Sequence, residues 1–206
     1  MRSIRPLFTL LALLAATLGT ARAQDVASGQ ETVRRAIHVC AACHGENGVS
    51  RTKGVPSLAG QMRQYTIAQL KDFRQQTRAE AGTKAYMWGV SALLDDETLV
   101  GLADYYAGLP PVAGKPAERK LARLGKKIFV DGIPERKVRA CAACHGDGAE
   151  GEAAFPRLAG QRADYLYDQL KLFGTRLRPH GVLMQRELMA LKPQELKALA
   201  AYIQSL

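Results

Sequence analysis

Two pentapeptides in this chain hold reactive side chains at a fixed spacing. Cys40-Ala41-Ala42-Cys43-His44 and Cys141-Ala142-Ala143-Cys144-His145 each set two thiols three residues apart, with an imidazole directly after the second. On one helical turn such thiols can add to the two vinyl groups of a single haem, and the imidazole then projects onto its iron. This is the attachment pattern of c-type haem. Two copies predict two covalently bound haem c groups, bonded through Cys40, Cys43, Cys141 and Cys144, with His44 and His145 as iron ligands. Competing chemistries fit less well. Zinc sites made from two Cys-x-x-Cys pairs usually separate them by about 15–20 residues, whereas the shift here is 101. Disulfides are open to an exported chain but explain neither the histidines nor the repetition. A thioredoxin-like dithiol needs a preceding strand in a βαβ unit, and no alternating pattern of useful length occurs.

Each iron needs a ligand on its other side, and the internal repeat narrows the choice. Past the first 23 residues the methionines are Met62, Met87, Met184 and Met189. Met62 aligns with Arg162 and Met189 with Ala92, so only Met87 and Met184 match each other. They lie 43 and 39 residues after their histidines, far enough for the chain to cross to the opposite haem face. A lone methionine is ordinarily core filler; a matched pair reads as metal ligands. His38 has no partner in the repeat and reads as a surface residue. His180, four residues before Met184, remains a rival for the second iron. Histidine with methionine raises the reduction potential relative to stronger donors and leaves no iron position for substrate. The expectation is a carrier with no catalytic residues, not an enzyme.

The elements that position these groups follow from the repeat. Pro56-Ser57-Leu58-Ala59-Gly60-Gln61 returns as Pro156-Arg157-Leu158-Ala159-Gly160-Gln161, and Tyr65, Gln69-Leu70-Lys71 and Phe73 return 100 residues later. Two copies of a long unit mean two similar domains, since solenoids use shorter and more numerous repeats. Gly108 to Pro116, with three prolines and two glycines, reads as the linker. Val33, Ile37 and Cys40 share a helical face before the first motif, as do Leu121, Leu124 and Ile128 before the second. Asp95-Asp96-Glu97 opens a helix bearing Leu99, Leu102, Ala103 and Tyr106. Pro193 opens another bearing Leu196, Leu199, Ala200 and Ile203. The fold class is all-α. Only 6% of residues are aromatic, so a haem in each domain supplies the missing core.

Arg2 and Arg5, an apolar run from Leu7 to Leu18 and Ala21-Arg22-Ala23 form a signal peptide over 1–23 with a cleavage site. The run is too short for a bilayer span of about 20 residues. The expected layout is a cleaved 1–23, an N-terminal domain over 24–112 and a C-terminal domain over 113–206, exported to a periplasm. Charge divides unevenly. Residues 24–112 hold nine Lys/Arg and nine Asp/Glu, whereas 113–206 hold seventeen and ten. The basic half suits an acidic patch on a redox partner or anionic lipid, or a plainly solvated face. Nucleic acid is not expected in that compartment.

The tandem Cys-Ala-Ala-Cys-His-Gly motifs, the Pro-x-Leu-Ala-Gly-Gln stretches and the Tyr, Gln-Leu and Phe spacing resemble the cytochrome c4 family over nearly the whole mature chain. The resemblance implies two tandem class I cytochrome c domains, each wrapped around a covalently bound haem, related by a pseudo-twofold axis with the haems facing across the interface. It implies loose association with the membrane surface and electron delivery towards terminal oxidases. The redox partners would be a quinol-oxidising cytochrome complex, a terminal oxidase or a periplasmic dehydrogenase. The runner-up is the cytochrome subunit of a flavocytochrome sulfide dehydrogenase-like or alcohol dehydrogenase-like complex. Gly29 and Gly125 would stand where the first and last helices of each domain cross, against Tyr105 and Tyr202. The carbonyls of Pro56 and Pro156 would accept hydrogen bonds from the two imidazoles.

Overall fold

The computed structural model of the chain describes residues 29–79 and 86–206; the expected signal peptide lies outside the described residues. The first half contains a helix over 29–44 (α1), then α2 (Arg63–Arg74), α3 (Tyr86–Ala92) and α4 (Asp96–Ala107). The second contains α5 (Arg119–Asp131), a 3-10 turn at Pro134–Arg136, α6 (Ala142–His145), α7 (Ala163–Phe173), α8 (Val182–Leu188) and α9 (Pro193–Gln204). Among the described residues the only extended pairings are two isolated bridges, Ile133 with Val138 and Glu152 with Phe155.

Helix α4 starts where its sequence says it should. The Asp95 carboxylate accepts the Thr98 amide at 2.7 Å, satisfying one of the first-turn donors that a helix leaves open. Leu99, Leu102, Ala103 and Tyr106 are all buried. In α9, Pro193 occupies the first turn, and Leu196, Leu199, Ala200 and Ile203 form its buried stripe. The expected stripe on α5 is partly displaced. Ile128 is buried together with Gly125 and Phe129, whereas Leu124 is 39% exposed. The cause is the crossing with α9. A Cβ on Gly125 would sit 2.6 Å from the Ala198 carbonyl carbon and 2.7 Å from the Tyr202 Cβ, so the close approach turns that side of α5 inward and Leu124 outward.

The matching crossing in the first half is built differently. A Cβ on Gly29 would meet the Glu97 side chain of α4, and one on Gly101 would meet Val33 of α1. Gly89, inside α3, has nothing within 4 Å of a built Cβ. Gly89→Ala is therefore expected to stabilise the protein by about 0.5–1 kcal/mol, since glycine is entropically costly within a helix. A raised midpoint of denaturant unfolding would show it, and an unchanged or lower midpoint would refute it.

The two halves meet along a seam made from the repeated Pro-x-Leu-Ala-Gly-Gln stretch. The Gln161 side chain accepts the Ser57 amide at 2.9 Å and donates to the Ser57 carbonyl at 2.9 Å. Gln61 does the same to Arg157, accepting at 2.8 Å and donating at 3.0 Å. Ser57 and Arg157 are repeat equivalents, so the seam is pseudo-twofold. The linker runs over it. Gly60 and Gly160 both have φ near +70°, and a Cβ on either would strike the linker, at Pro111 and Val112 respectively.

Candidate functional site

Both cysteine–histidine motifs sit at helix ends. His44 closes α1 and His145 closes α6, and Gly45 and Gly146, at φ +85° and +83°, turn the chain away immediately afterwards. His44 is 8% and His145 5% exposed. Each ring is pinned through Nδ1, which donates to the carbonyl of Pro56 at 2.9 Å and of Pro156 at 3.1 Å. That contact fixes the tautomer and leaves Nε2 as the open nitrogen. Burial pushes both imidazole pKa values down, towards the neutral form that binds a metal. The Nε2 of His145 is buried without a hydrogen-bond partner, as an atom reserved for a metal would be. Burial also raises the Cys40 thiol and pushes Cys141 up to about 11.

In the first half Cys40, Cys43, His44 and Met87 line one largely apolar cavity, with Leu102 and Tyr106 in its wall. Met87 comes from α3 and Met184 from α8, short helices that periodicity did not reveal; both side chains are half-buried. Met189 is 77% exposed, which suits no buried iron. His38 is exposed. His180 turns to the other half of the molecule, where its Nδ1 stands 2.7 Å from Asp72 Oδ1.

The donors and apolar lining thus fit a haem. The cytochrome c family model matches residues 26–107 and again 122–206. Cytochrome c4 of Thiocapsa roseopersicina is 38% identical over 192 residues, covering 90% of this chain and 96% of the relative. The solved structure of cytochrome c4 from Acidithiobacillus ferrooxidans matches with a TM-score of 0.76 at 38% identity, covering 81% of this chain and 98% of that one. The chain belongs to the cytochrome c4 family. A further relative, named thiosulfate dehydrogenase electron acceptor, from Stutzerimonas stutzeri, is 42% identical over 93% of this chain and 92% of its own length. As a cytochrome c4 the chain is an electron-transfer protein with two cytochrome c domains and two covalently bound c-type haems.

One cluster in this cytochrome c4 fold escaped the reading of the sequence. Arg78 and Arg178 are 4% and 8% exposed and lie together where the halves meet. Arg78 donates to Gln69 at 2.7 Å, Gln169 at 3.0 Å and the Tyr165 hydroxyl at 3.0 Å. Arg178 mirrors it, donating to Gln169 at 3.0 Å, Gln69 at 2.8 Å and the Tyr65 hydroxyl at 3.4 Å. The guanidinium groups also stack on Phe73 and Phe173, 4.4 and 4.0 Å from the ring centres. Burial, followed by the neighbouring Arg78 charge, pushes the Arg178 pKa down. Arg78, Tyr65, Gln69 and Tyr165 line the first cavity, so the cluster joins the seam to the cofactor site. The available signal was the shift of 100 that pairs Arg78 with Arg178.

Proposed function

We propose that the chain is exported to the periplasm and carries single electrons between respiratory partners. In this reading 1–23 is removed, 24–112 and 113–206 are the two domains, and the haems are bonded at Cys40/Cys43 and at Cys141/Cys144. His44 with Met87 and His145 with Met184 would ligate the two irons. The convergence of both cysteines, His44 and Met87 on one cavity, with the imidazole held by a proline carbonyl, carries the assignment. The prolines orient the rings and raise their basicity as ligands. The methionine thioethers favour a higher potential than a second strong donor would, and the apolar walls keep water away. Each haem, when bound, supplies one-electron iron chemistry. With a histidine and a methionine each holding an iron, no position would be left for substrate, and the chain would not be an enzyme by itself. His180 has Asp72 beside it, which supports Met184 as the ligand.

The relative named thiosulfate dehydrogenase electron acceptor supports a periplasmic dehydrogenase as donor, in place of or beside a quinol-oxidising cytochrome complex, with a terminal oxidase downstream. It also keeps open a permanent dehydrogenase subunit as the second reading. Co-purification of the natively expressed chain with a flavin or quinone protein would favour the subunit; purification alone favours the carrier. No helix among the described residues is long and apolar enough to cross a membrane, so any membrane association of the described part is peripheral.

The ligand assignment predicts the weak far-red band of methionine–Fe(III) ligation in the oxidised protein, and Met184→Ala should remove about half of it. Carbon monoxide should react slowly with the reduced native protein and rapidly, at one haem, with the variant. An intact band in Met184→Ala together with its loss in His180→Ala would overturn the assignment. Rapid stoichiometric carbon monoxide binding by the native protein would indicate an open iron and favour an enzymatic role.

A further inference from the structure

The positive charge of the second half is concentrated on one helix face. Helix α5 turns Gly125, Ile128 and Phe129 inward. On the opposite arc Arg119, Lys120, Arg123, Lys126 and Lys127 are all exposed, along a helix of 13 residues, roughly 20 Å long at the usual rise. None of these five side chains has a hydrogen bond or ion pair among the described residues. Elsewhere cations are often engaged: Arg34 and Arg35 bind Glu31, Arg139 binds Glu187, and Lys171 binds Asp168. Acid is kept to the two ends of α5. Glu118 caps its N-terminus, accepting the Lys120 and Leu121 amides at 2.7 and 3.2 Å, and Asp131 is its last residue. Within the basic arc lies Val130, 46% exposed.

The position of this face decides what it suits. Cys141 and Ala142 pack against the core cluster that includes Ile128 and Phe129, the buried side of α5. The haem-attachment segment therefore lies behind the helix as seen from the basic arc. A redox protein seated on that arc would have the full thickness of a helix, about 10 Å, between itself and the attachment segment. Electron tunnelling weakens exponentially with distance, so this is a poor place to exchange electrons and a good one to hold the protein still. A straight row of cations without acidic interruption matches a flat, uniformly negative surface, which requires no shaped complement.

We infer that the outer face of α5 is a docking site for the anionic phosphate headgroups of a bilayer. The C-terminal domain rests on the membrane through Arg119, Lys120, Arg123, Lys126 and Lys127, and the electroneutral first half faces away. The inference rests on the export proposed above and gives the peripheral association a surface and a lipid chemistry.

The test is flotation of the mature, haem-loaded protein with vesicles of phosphatidylcholine, alone or with one third phosphatidylglycerol. Binding is expected only with phosphatidylglycerol and should disappear at high salt. The triple variant R123Q, K126Q and K127Q should bind at least about tenfold more weakly, and R34Q with R35Q should bind as the parent does. Equal binding to both vesicle types, or equal loss in both variants, overturns the inference. Vesicle binding that is absent, with salt-sensitive electron exchange with a partner protein that depends on the α5 cations, overturns it in favour of a protein dock. The haem spectrum of the same sample separates the two levels. Two intact haems without vesicle binding refute only the lipid site, whereas a missing haem refutes the carrier.

Discussion

Gly125→Ala is expected to destabilise the C-terminal domain by about 3 kcal/mol or more, although alanine is the better helix former by about 1 kcal/mol. The added Cβ would stand 2.6 Å from the Ala198 carbonyl carbon and 2.7 Å from the Tyr202 Cβ. Both are inside van der Waals contact, and neither belongs to a flexible chain end that could step aside. Relief requires α5 and α9 to separate, and that loosens the packing of Phe129, which is fully buried, on Tyr202, whose ring centre is 5.6 Å away. Gly125→Val should be worse and prevent stable folding of that domain. Calorimetry of the holoprotein, together with haem content, would read both effects. The same chemical change at Gly89 is expected to have the opposite sign, which makes the pair a test of close packing rather than of helix propensity. A neutral Gly125→Ala would refute the crossing as described.

The second large effect is expected at the paired arginines. Arg78→Met and Arg178→Met should each cost about 3 kcal/mol, because each removes several charge-assisted hydrogen bonds from a buried network. The two guanidinium groups share Gln69 and Gln169 as acceptors, so the losses should not add. The double variant should cost less than the sum of the singles by at least about 1 kcal/mol. Arg78 also lines the first cavity, and a nearby cation disfavours the more positive, oxidised iron. The midpoint potential of the N-terminal haem is expected to fall in Arg78→Met, as measured by spectroscopic redox titration. Strict additivity with unmoved potentials would mean that the cluster is only a surface-like contact.

The sequence was most informative where chemistry demands a local spacing. Two thiols and an imidazole on a single turn are legible because one haem must reach all three. Leu99, Leu102 and Tyr106 on α4, and Leu196, Leu199 and Ile203 on α9, were legible because each stripe is the buried face of a helix about three turns long. Helices α3 and α8 were not. At seven residues each, they are too short for periodicity to speak, and tertiary packing makes them. Leu124 misled for a related reason: the helical face was right in period but its phase is set by Gly125, whose role depends on a partner almost 75 residues away. Gly29 was assigned to the crossing and does meet α4, at Glu97, but the second close approach, at Gly101, went unread. Arg78 and Arg178 were missed because charged residues are ordinarily read as surface, and only their repeat spacing argued otherwise.

The hydrogen bonds that join the halves, from the Ser57, Gln61, Arg157 and Gln161 seam to the Arg78 and Arg178 cluster, make a polar contact of the sort that two free proteins would hold only fleetingly. The linker that crosses it at Pro111 and Val112 changes that. A short tether gives its two ends an effective concentration in the millimolar range, so a weak contact stays closed most of the time without a large apolar interface. On the proposed route, transfer from one half to the other is then a first-order event. Its rate depends on the tether and the seam, and diluting the protein leaves it unchanged.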